Sequence, residues 1–126
     1  MSTEKTRILV VEDDAELLRM ISKLLADIGE VLTASDGLQA WELLQEGPAP
    51  SLVITDLMMP GMDGITLSLK MKEERQLARV PIIMLTAKGT PRDVINGINA
   101  GARHYISKPF KQAELLEKVS RALGRS

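Results

Sequence analysis

Charged and polar side chains follow four apolar runs in this sequence, and together they could act on a phosphate or a metal ion. The side chains are Glu12 and Asp13, then Asp56, Thr86 and Lys108. Carboxylates gathered in one pocket repel each other and need a cation, and a ligand set made only of oxygens favours a hard ion such as Mg²⁺. A carboxylate beside such an ion can also act as a nucleophile toward phosphorus.

The candidate metal ligands are three acids and one backbone carbonyl. We expect Asp13 and Asp56 to bind the ion directly, and Glu12 to bind it directly or through a water molecule. The backbone carbonyl of Met58 can complete the share of ligands that the protein provides. Mg²⁺, or Mn²⁺ in its place, keeps several waters and accepts a phosphate oxygen in such sites.

Two further side chains could assist phosphoryl transfer to Asp56. The Lys108 ammonium can neutralise charge on the phosphoryl oxygens, and the Thr86 hydroxyl can donate to another of those oxygens. The alternative for Asp56 is a turn residue, because aspartate is common in turns. For Lys108 it is a solvated charge, and for Thr86 an ordinary end of a strand.

The apolar runs have the character of strands buried on both faces of a parallel sheet, because they are continuous and rich in β-branched residues. Apolar residues at helical spacing follow most of the runs, so that strand and helix alternate five times. Parallel pairing with right-handed crossovers then predicts an α/β, three-layer, doubly wound sandwich. The predicted strands lie at 8–11, 31–35, 52–54, 80–85 and 102–107.

Several helix boundaries can be predicted. Asp14 and Asp36 can cap the first and second helices, and Gly29 is expected to stop the first helix after Ile28. Residues 65–72 alternate like a strand, but a crossover between parallel strands is usually helical. We therefore predict a helix there, with Ser68 facing the sheet.

Composition limits the possible functions. The chain has 126 residues, with 44% hydrophobic and 26% charged residues, which suits one globular domain. It has no cysteine and one histidine, which excludes disulfides and multi-histidine metal sites. The net charge of −1 gives no field for nucleic acid, and no apolar run approaches a membrane span. We expect a cytoplasmic protein with no direct contact to nucleic acid or membrane.

The polar strand ends resemble the receiver domain of two-component response regulators. The resemblance covers about Arg7 to Leu123 and predicts a single receiver domain over residues 1–126, with a core at about 7–123. The motifs that carry it are Glu12-Asp13, Asp56 with the turn Pro60-Gly61-Met62-Asp63-Gly64, Thr86-Ala87 and Lys108-Pro109-Phe110. It implies a flavodoxin-like strand order of 2-1-3-4-5 and a cis Lys108–Pro109 peptide.

The resemblance also implies a function. Asp56 would accept a phosphoryl group from a histidine kinase or a phosphotransfer protein, and Thr86 and Tyr105 would form a switch. The output surface would be the predicted helix at 90–99, the fifth strand and the last helix, which would contact a downstream protein. Such a protein is a signalling protein that catalyses only its own phosphorylation and dephosphorylation. The helix at 90–99 is poor in helix formers and should be among the less stable elements.

Alternative functions are less well supported. A Mg²⁺-dependent phosphohydrolase would resemble this chain but carry a second acid two residues after Asp56, where Met58 stands. A phosphorylation-independent docking module would usually have lost the acceptor or Lys108. A flavodoxin-like cofactor domain would have a glycine-rich first loop. We also expect that Met58 and Lys88, at the mouth of the pocket, do not assist hydrolysis of the acyl phosphate.

Overall fold

Five parallel strands form one sheet in the computed structural model, which describes residues 6–59, 61–87, 95, 99 and 101–124. The strands are β1 (Arg7–Val11), β2 (Glu30–Ala34), β3 (Leu52–Asp56), β4 (Ile82–Thr86) and β5 (His104–Ser107). Their spatial order is β2-β1-β3-β4-β5. The predicted fold class and strand order are therefore confirmed.

Helices connect the strands and follow the last one. They are α1 (Ala15–Leu25), α2 (Gly37–Glu46), α3 (Gly64–Glu73) and a C-terminal helix (Gln112–Ala122). The segment that alternates like a strand is helical, as predicted. Most of the predicted helix at 90–99 lies outside the described residues, and the two that are described, Ile95 and Asn99, are helical and exposed. Within the described ranges, none of the helices combines the length and apolar character that a membrane crossing requires.

Each face of the sheet has its own hydrophobic core, because successive strand residues point to opposite faces. One core joins the sheet to α2 and α3 through Leu9, Val53, Met84, Ala40, Leu44, Leu67 and Met71. The other joins the sheet to α1 and the C-terminal helix through Ile8, Ile54, Leu85, Ile21, Leu25, Leu115 and Val119. Burial of such large apolar side chains contributes about 1.5–3 kcal/mol each. The sheet is thus held rigid from both sides.

The end of α1 differs from the prediction. The helix ends at Leu25, although the apolar spacing continues to Ile28. The chain turns early here because the Glu30 N–H donates to the Thr6 carbonyl at 2.9 Å and begins the pairing of β2 with β1. A Cβ on Gly29 would lie 2.4 Å from that same carbonyl oxygen. Gly29 therefore permits a close approach of two backbone segments and does not stop the helix.

Aspartates begin the first three helices. Asp14, Asp36 and Asp63 each accept a hydrogen bond from a backbone N–H in the first turn of α1, α2 and α3. The caps at Asp14 and Asp36 confirm the prediction, and each is worth about 1 kcal/mol. The Asp14 cap follows the polar end of β1, and the Asp63 cap stands at the end of the loop after β3. These two caps therefore fix the direction in which the chain enters α1 and α3.

Ser68 faces the sheet from α3, as predicted. The residue is fully buried. In the part of the chain that the structure describes, its Oγ is a buried polar atom without a hydrogen-bond partner. A hydroxyl left without a partner in an apolar core costs about 1–3 kcal/mol. This position of α3 therefore lowers the stability of the fold.

Replacement of Ser68 by alanine should stabilise the protein. The change removes the unpaired hydroxyl and introduces a better helix former, so we expect the free energy of unfolding to rise by about 1 kcal/mol. Urea denaturation followed by circular dichroism measures the change. Ser22→Ala is the matched control, because the Ser22 hydroxyl on α1 donates to the Leu18 carbonyl at 2.7 Å. A lower unfolding midpoint for Ser68→Ala than for wild type would contradict the prediction.

Candidate functional site

Three carboxylates meet at the carboxyl edge of the sheet. β1 ends at Val11 and leads directly to Glu12 and Asp13, and the neighbouring strand β3 ends on Asp56. An oxygen of each carboxylate lies within 4.8 Å of the other two. Glu12 and Asp56 are buried, whereas Asp13 is exposed. The structure therefore brings together the three acids that the sequence indicated as metal ligands.

Lys108 contacts this acidic cluster from the end of β5. Its Nζ donates to Glu12 Oε1 at 2.6 Å and to Asp56 Oδ2 at 3.1 Å. Its backbone N–H donates to the Thr86 carbonyl at 2.6 Å. The peptide bond to Pro109 is cis, as the resemblance implied. Lys108 is thus fixed at both its backbone and its ammonium group.

Burial dominates the electrostatics of Glu12, which is only 1% exposed. It raises the pKa of the Glu12 carboxyl to about 7, although hydrogen bonds from Lys108 and from the Asp14 N–H oppose the rise. Burial also disfavours the ammonium form of Lys108, but the bonds to Glu12 and Asp56 outweigh it and raise the pKa of Lys108 above its ordinary value. Lys108 therefore remains charged at neutral pH among the carboxylates.

The donor set of the cluster fits a hard cation. Every side chain that it offers is a carboxylate, and oxygen ligands of this kind suit Mg²⁺ or Mn²⁺. Lys108 contacts one oxygen of Glu12 and one of Asp56. The other Asp56 oxygen and the exposed Asp13 carboxylate are therefore available as ligands without loss of the ion pairs to Lys108.

Thr86 and Tyr105 lie on neighbouring strands beside the cluster. Thr86 ends β4 and is buried. Tyr105 is in register with Met84 of β4, and its half-buried ring packs against the core that includes α2 and α3. Residues two apart on a strand share a face. Thr86 therefore points to the side of the sheet on which Tyr105 packs.

Met58 lies in the loop after β3, and the residue is 71% exposed. The loop returns close to the strand, since the Gly64 N–H donates to the Leu57 carbonyl at 3.0 Å. A Cβ on Gly64 would lie 2.4 Å from the Asp56 carbonyl oxygen. Only glycine at this position allows α3 to begin so close to the end of β3.

Two contacts at this site have no signal in the sequence. The buried Thr55 hydroxyl donates to the Asp56 carbonyl at 3.0 Å, and the Asp14 N–H donates to Glu12 Oε2 at 3.1 Å. Threonine is common in strands and aspartate in caps, so neither residue stands out in the chain. Both contacts depend on where β1 ends, which the sequence does not define to one residue.

His104, the single histidine of the chain, lies apart from the acidic cluster. It is half-buried on β5, where burial and the nearby charges of Lys118, Arg103 and Arg121 lower its pKa. Among the described residues, the acidic group that could hold a metal does not include it. Pro60 and Lys88 lie outside the described residues.

An open groove of about 680 Å³ lies beside the cluster, between α1 and the loop after β5. Lys108 lines the groove and also contacts the carboxylates, so the two are continuous. The other lining residues are mostly apolar: Leu17, Met20, Ala87, Pro109 and Phe110, with Asp14 and Glu16.

The sequence is similar to those of response regulators. Residues 8–120 match the model of the response regulator receiver domain. The chain is 42% identical over 127 residues to the DNA-binding response regulator MtrA of Mycobacterium tuberculosis, covering all of this chain but only 54% of MtrA. It is 38% identical over 120 residues to a chemotaxis protein CheY homolog of Campylobacter jejuni, covering 94% of this chain and 92% of that protein. The chain thus spans about half the length of MtrA and nearly all of the CheY homolog.

Solved structures are similar as well. A crystal structure of a putative response regulator from Chloroflexus aurantiacus has a TM-score of 0.89 at 34% identity, covering 97% of this chain and 100% of that one. The receiver domain of the sensor histidine kinase PA1611 from Pseudomonas aeruginosa, with magnesium coordinated in its active site cleft, has a TM-score of 0.85 at 32% identity. That match covers 96% of this chain and 99% of the other.

Mg²⁺ should stabilise the folded protein through the acidic cluster. A ligand that binds only the folded state adds about 2.7 kcal/mol at 100 times its dissociation constant. We expect a rise in Tm on addition of MgCl₂, measured by scanning calorimetry, and a rise less than half as large in Asp13→Asn. Asp13 is exposed, so its substitution should leave the core intact.

Asp27→Asn is the control for the loss of one exposed negative charge, because Asp27 lies in the turn between α1 and β2, outside the acidic cluster. It should keep the full Mg²⁺-dependent shift. An equal shift in Asp13→Asn and wild type would contradict the assignment of the metal site.

Proposed function

Since this chain belongs to the response regulator receiver domain family, we propose that Asp56 accepts a phosphoryl group from a partner histidine kinase or phosphotransfer protein. Receiver domains are signalling proteins and are generally not enzymes in the ordinary sense. The observation that carries the proposal is the Asp56 carboxylate itself. It lies at a strand end, within 3.1 Å of the Lys108 ammonium and beside two further acids.

The proposed reaction is an in-line transfer to Asp56. A carboxylate oxygen of Asp56 attacks the phosphorus of a phosphohistidine, the P–N bond breaks, and the imidazole leaves with the bonding electron pair and takes up a proton. Lys108 binds one phosphoryl oxygen and the Thr86 hydroxyl donates to another, which stabilises the developing charge. Glu12, Asp13, Asp56 and the Met58 carbonyl would hold Mg²⁺ or Mn²⁺, which neutralises phosphoryl charge when it is bound.

The proposed output is a change in the surface around β5. Phosphorylation draws the Thr86 hydroxyl toward the phosphoryl group, and the Tyr105 ring moves into the space that it leaves. The register of β4 and β5 supports this coupling, because both side chains face the same side of the sheet. The responding surface includes the segment at 90–99, β5 and the C-terminal helix, and we propose that a downstream protein binds there.

The proposed unit is one receiver domain over residues 1–126, and the match over 8–120 supports it. The relative MtrA is named as DNA-binding, but the net charge of −1 favours a protein as the direct partner of this chain. A phosphohydrolase is less well supported, since the exposed Met58 stands two residues after Asp56 and cannot act as a general acid.

Phosphorylation of Asp56 can be tested with a small phosphodonor. Incubation with Mg²⁺ and acetyl phosphate should add one phosphoryl group to the wild-type protein, measured by intact mass spectrometry. Asp56→Ala should gain none, because the acceptor oxygen is absent, and Asp27→Ala should be labelled like wild type. Labelling of Asp56→Ala to the wild-type level would overturn the proposed function.

The lifetime of the phosphorylated form should depend on Met58. A thioether cannot orient an attacking water by hydrogen bonding, so we expect slow hydrolysis in wild type. Met58→Asn supplies an amide and should accelerate hydrolysis about threefold to tenfold, the value of one hydrogen bond. Loss of the phosphorylated mass with time after removal of the donor measures the rate.

Leu69→Asn is the matched control, because Leu69 is also an exposed apolar residue, at 47%, and lies on α3. It should leave the rate of hydrolysis unchanged. Fast hydrolysis in wild type that Met58→Asn does not alter would show that Met58 has no influence on the lifetime.

A further inference from the structure

We infer that the Thr55 hydroxyl is a positioning group for the acceptor, because it fixes the backbone from which the Asp56 carboxylate projects. The inference rests on the proposed function, since it concerns how Asp56 is held for phosphorylation. Thr55 is fully buried, and its Oγ1 donates to the Asp56 carbonyl at 3.0 Å. It acts through the backbone of its neighbour.

The peptide group that joins Asp56 to Leu57 is held at both ends. Its carbonyl accepts the Thr55 hydroxyl, and its N–H donates to the Leu85 carbonyl of β4 at 2.7 Å. A peptide group is planar, so two such bonds fix its orientation. The Asp56 Cα, from which the carboxylate branches, is one corner of this plane.

The Asp56 carbonyl accepts a hydrogen bond from a side chain because the backbone ladder between β1 and β3 ends just before it. The register between β1 and β3 ends at the pair of Val11 and Thr55, so the ladder on this side of β3 stops before Asp56. A buried carbonyl beyond the ladder needs another donor. Thr55 supplies that donor, and Gly64 packs so closely that a Cβ there would lie 2.4 Å from the same oxygen.

The position of the Asp56 carboxylate matters because it has to meet several groups at once. It lies 3.1 Å from Lys108 Nζ and within 4.8 Å of oxygens of Glu12 and Asp13. Small displacements of reacting groups can reduce rates by large factors. A shift of the peptide group after Asp56 would displace the Asp56 Cα and therefore change the position of the carboxylate relative to Lys108.

The experiment compares Thr55→Val, which keeps the shape but removes the hydroxyl, with Thr55→Ser, which keeps the hydroxyl. The rate of phosphorylation by acetyl phosphate is measured at saturating Mg²⁺. We expect Thr55→Val to be about threefold to tenfold slower than wild type, the effect of one lost hydrogen bond on the barrier. Thr55→Ser should restore most of the rate.

A second measurement does not depend on activity. Hydrogen exchange by NMR, without donor or Mg²⁺, follows the Leu57 amide relative to the Leu9 amide in β1. If Thr55 fixes the peptide group between Asp56 and Leu57, Thr55→Val should accelerate exchange of the Leu57 amide more than exchange of the Leu9 amide. Ser68→Ala removes a buried hydroxyl that has no partner, and it should change neither the rate of phosphorylation nor this ratio.

The outcomes separate the inference from the proposed function. Absence of phosphorylation in the wild-type protein would overturn the proposed function itself. Phosphorylation of Thr55→Val at the wild-type rate, with exchange at Leu57 and Leu9 changed equally, would overturn only the role of Thr55. If Thr55→Val does not fold, Thr55→Cys replaces it, since a thiol is a weak donor, and a wild-type rate in that variant would likewise overturn the role.

Discussion

Glu12 and Asp56 share the single ammonium group of Lys108, and the rest of the structure depends on this balance of charge. Two carboxylates buried side by side would be costly without a cation. The lysine reaches them from the end of β5, although β4 lies between β5 and β3. A long side chain is needed to cross the end of β4, and the bond from the Lys108 N–H to the Thr86 carbonyl fixes the point from which it starts.

The sheet provides the frame for this arrangement. Parallel strands bring their carboxyl ends to one edge, so residues far apart in the chain become neighbours. Cores on both faces hold β1, β3 and β4, whose residues are almost entirely buried. The polar groups at the edge therefore lie on rigid supports, and aspartate caps hold the chain where it enters α1 and α3 after β1 and β3.

Much of the fold was accessible from the sequence, because most strands are continuous apolar runs followed by polar residues. The helix at Gly64–Glu73 and the inward face of Ser68 were predicted correctly from these patterns, and the strand order was predicted correctly from the resemblance to receiver domains. The early end of α1 was not, because the hydrogen bond from the Glu30 N–H to the Thr6 carbonyl, which begins β2, overrides a helical pattern that continues to Ile28. Tertiary pairing of this kind leaves no local signal in the chain.

The site was only partly predictable for a similar reason. Residue type indicated which groups meet at the edge, but the bond from Thr55 to Asp56 depends on the exact residue at which β1 and β3 separate. The distance of 2.6 Å between Lys108 Nζ and Glu12 Oε1 also depends on the path of the lysine side chain. Such contacts are set by backbone geometry that no residue pattern encodes.

Asp14 connects the acidic cluster at the edge of the sheet with the groove beside it. Its N–H holds Glu12 in the acidic cluster, while its carboxylate begins α1, which forms one wall of the groove. The backbone and the side chain of this one residue therefore bond to Glu12 and to the first turn of that wall. One residue thus connects the groove with the charged edge of the sheet.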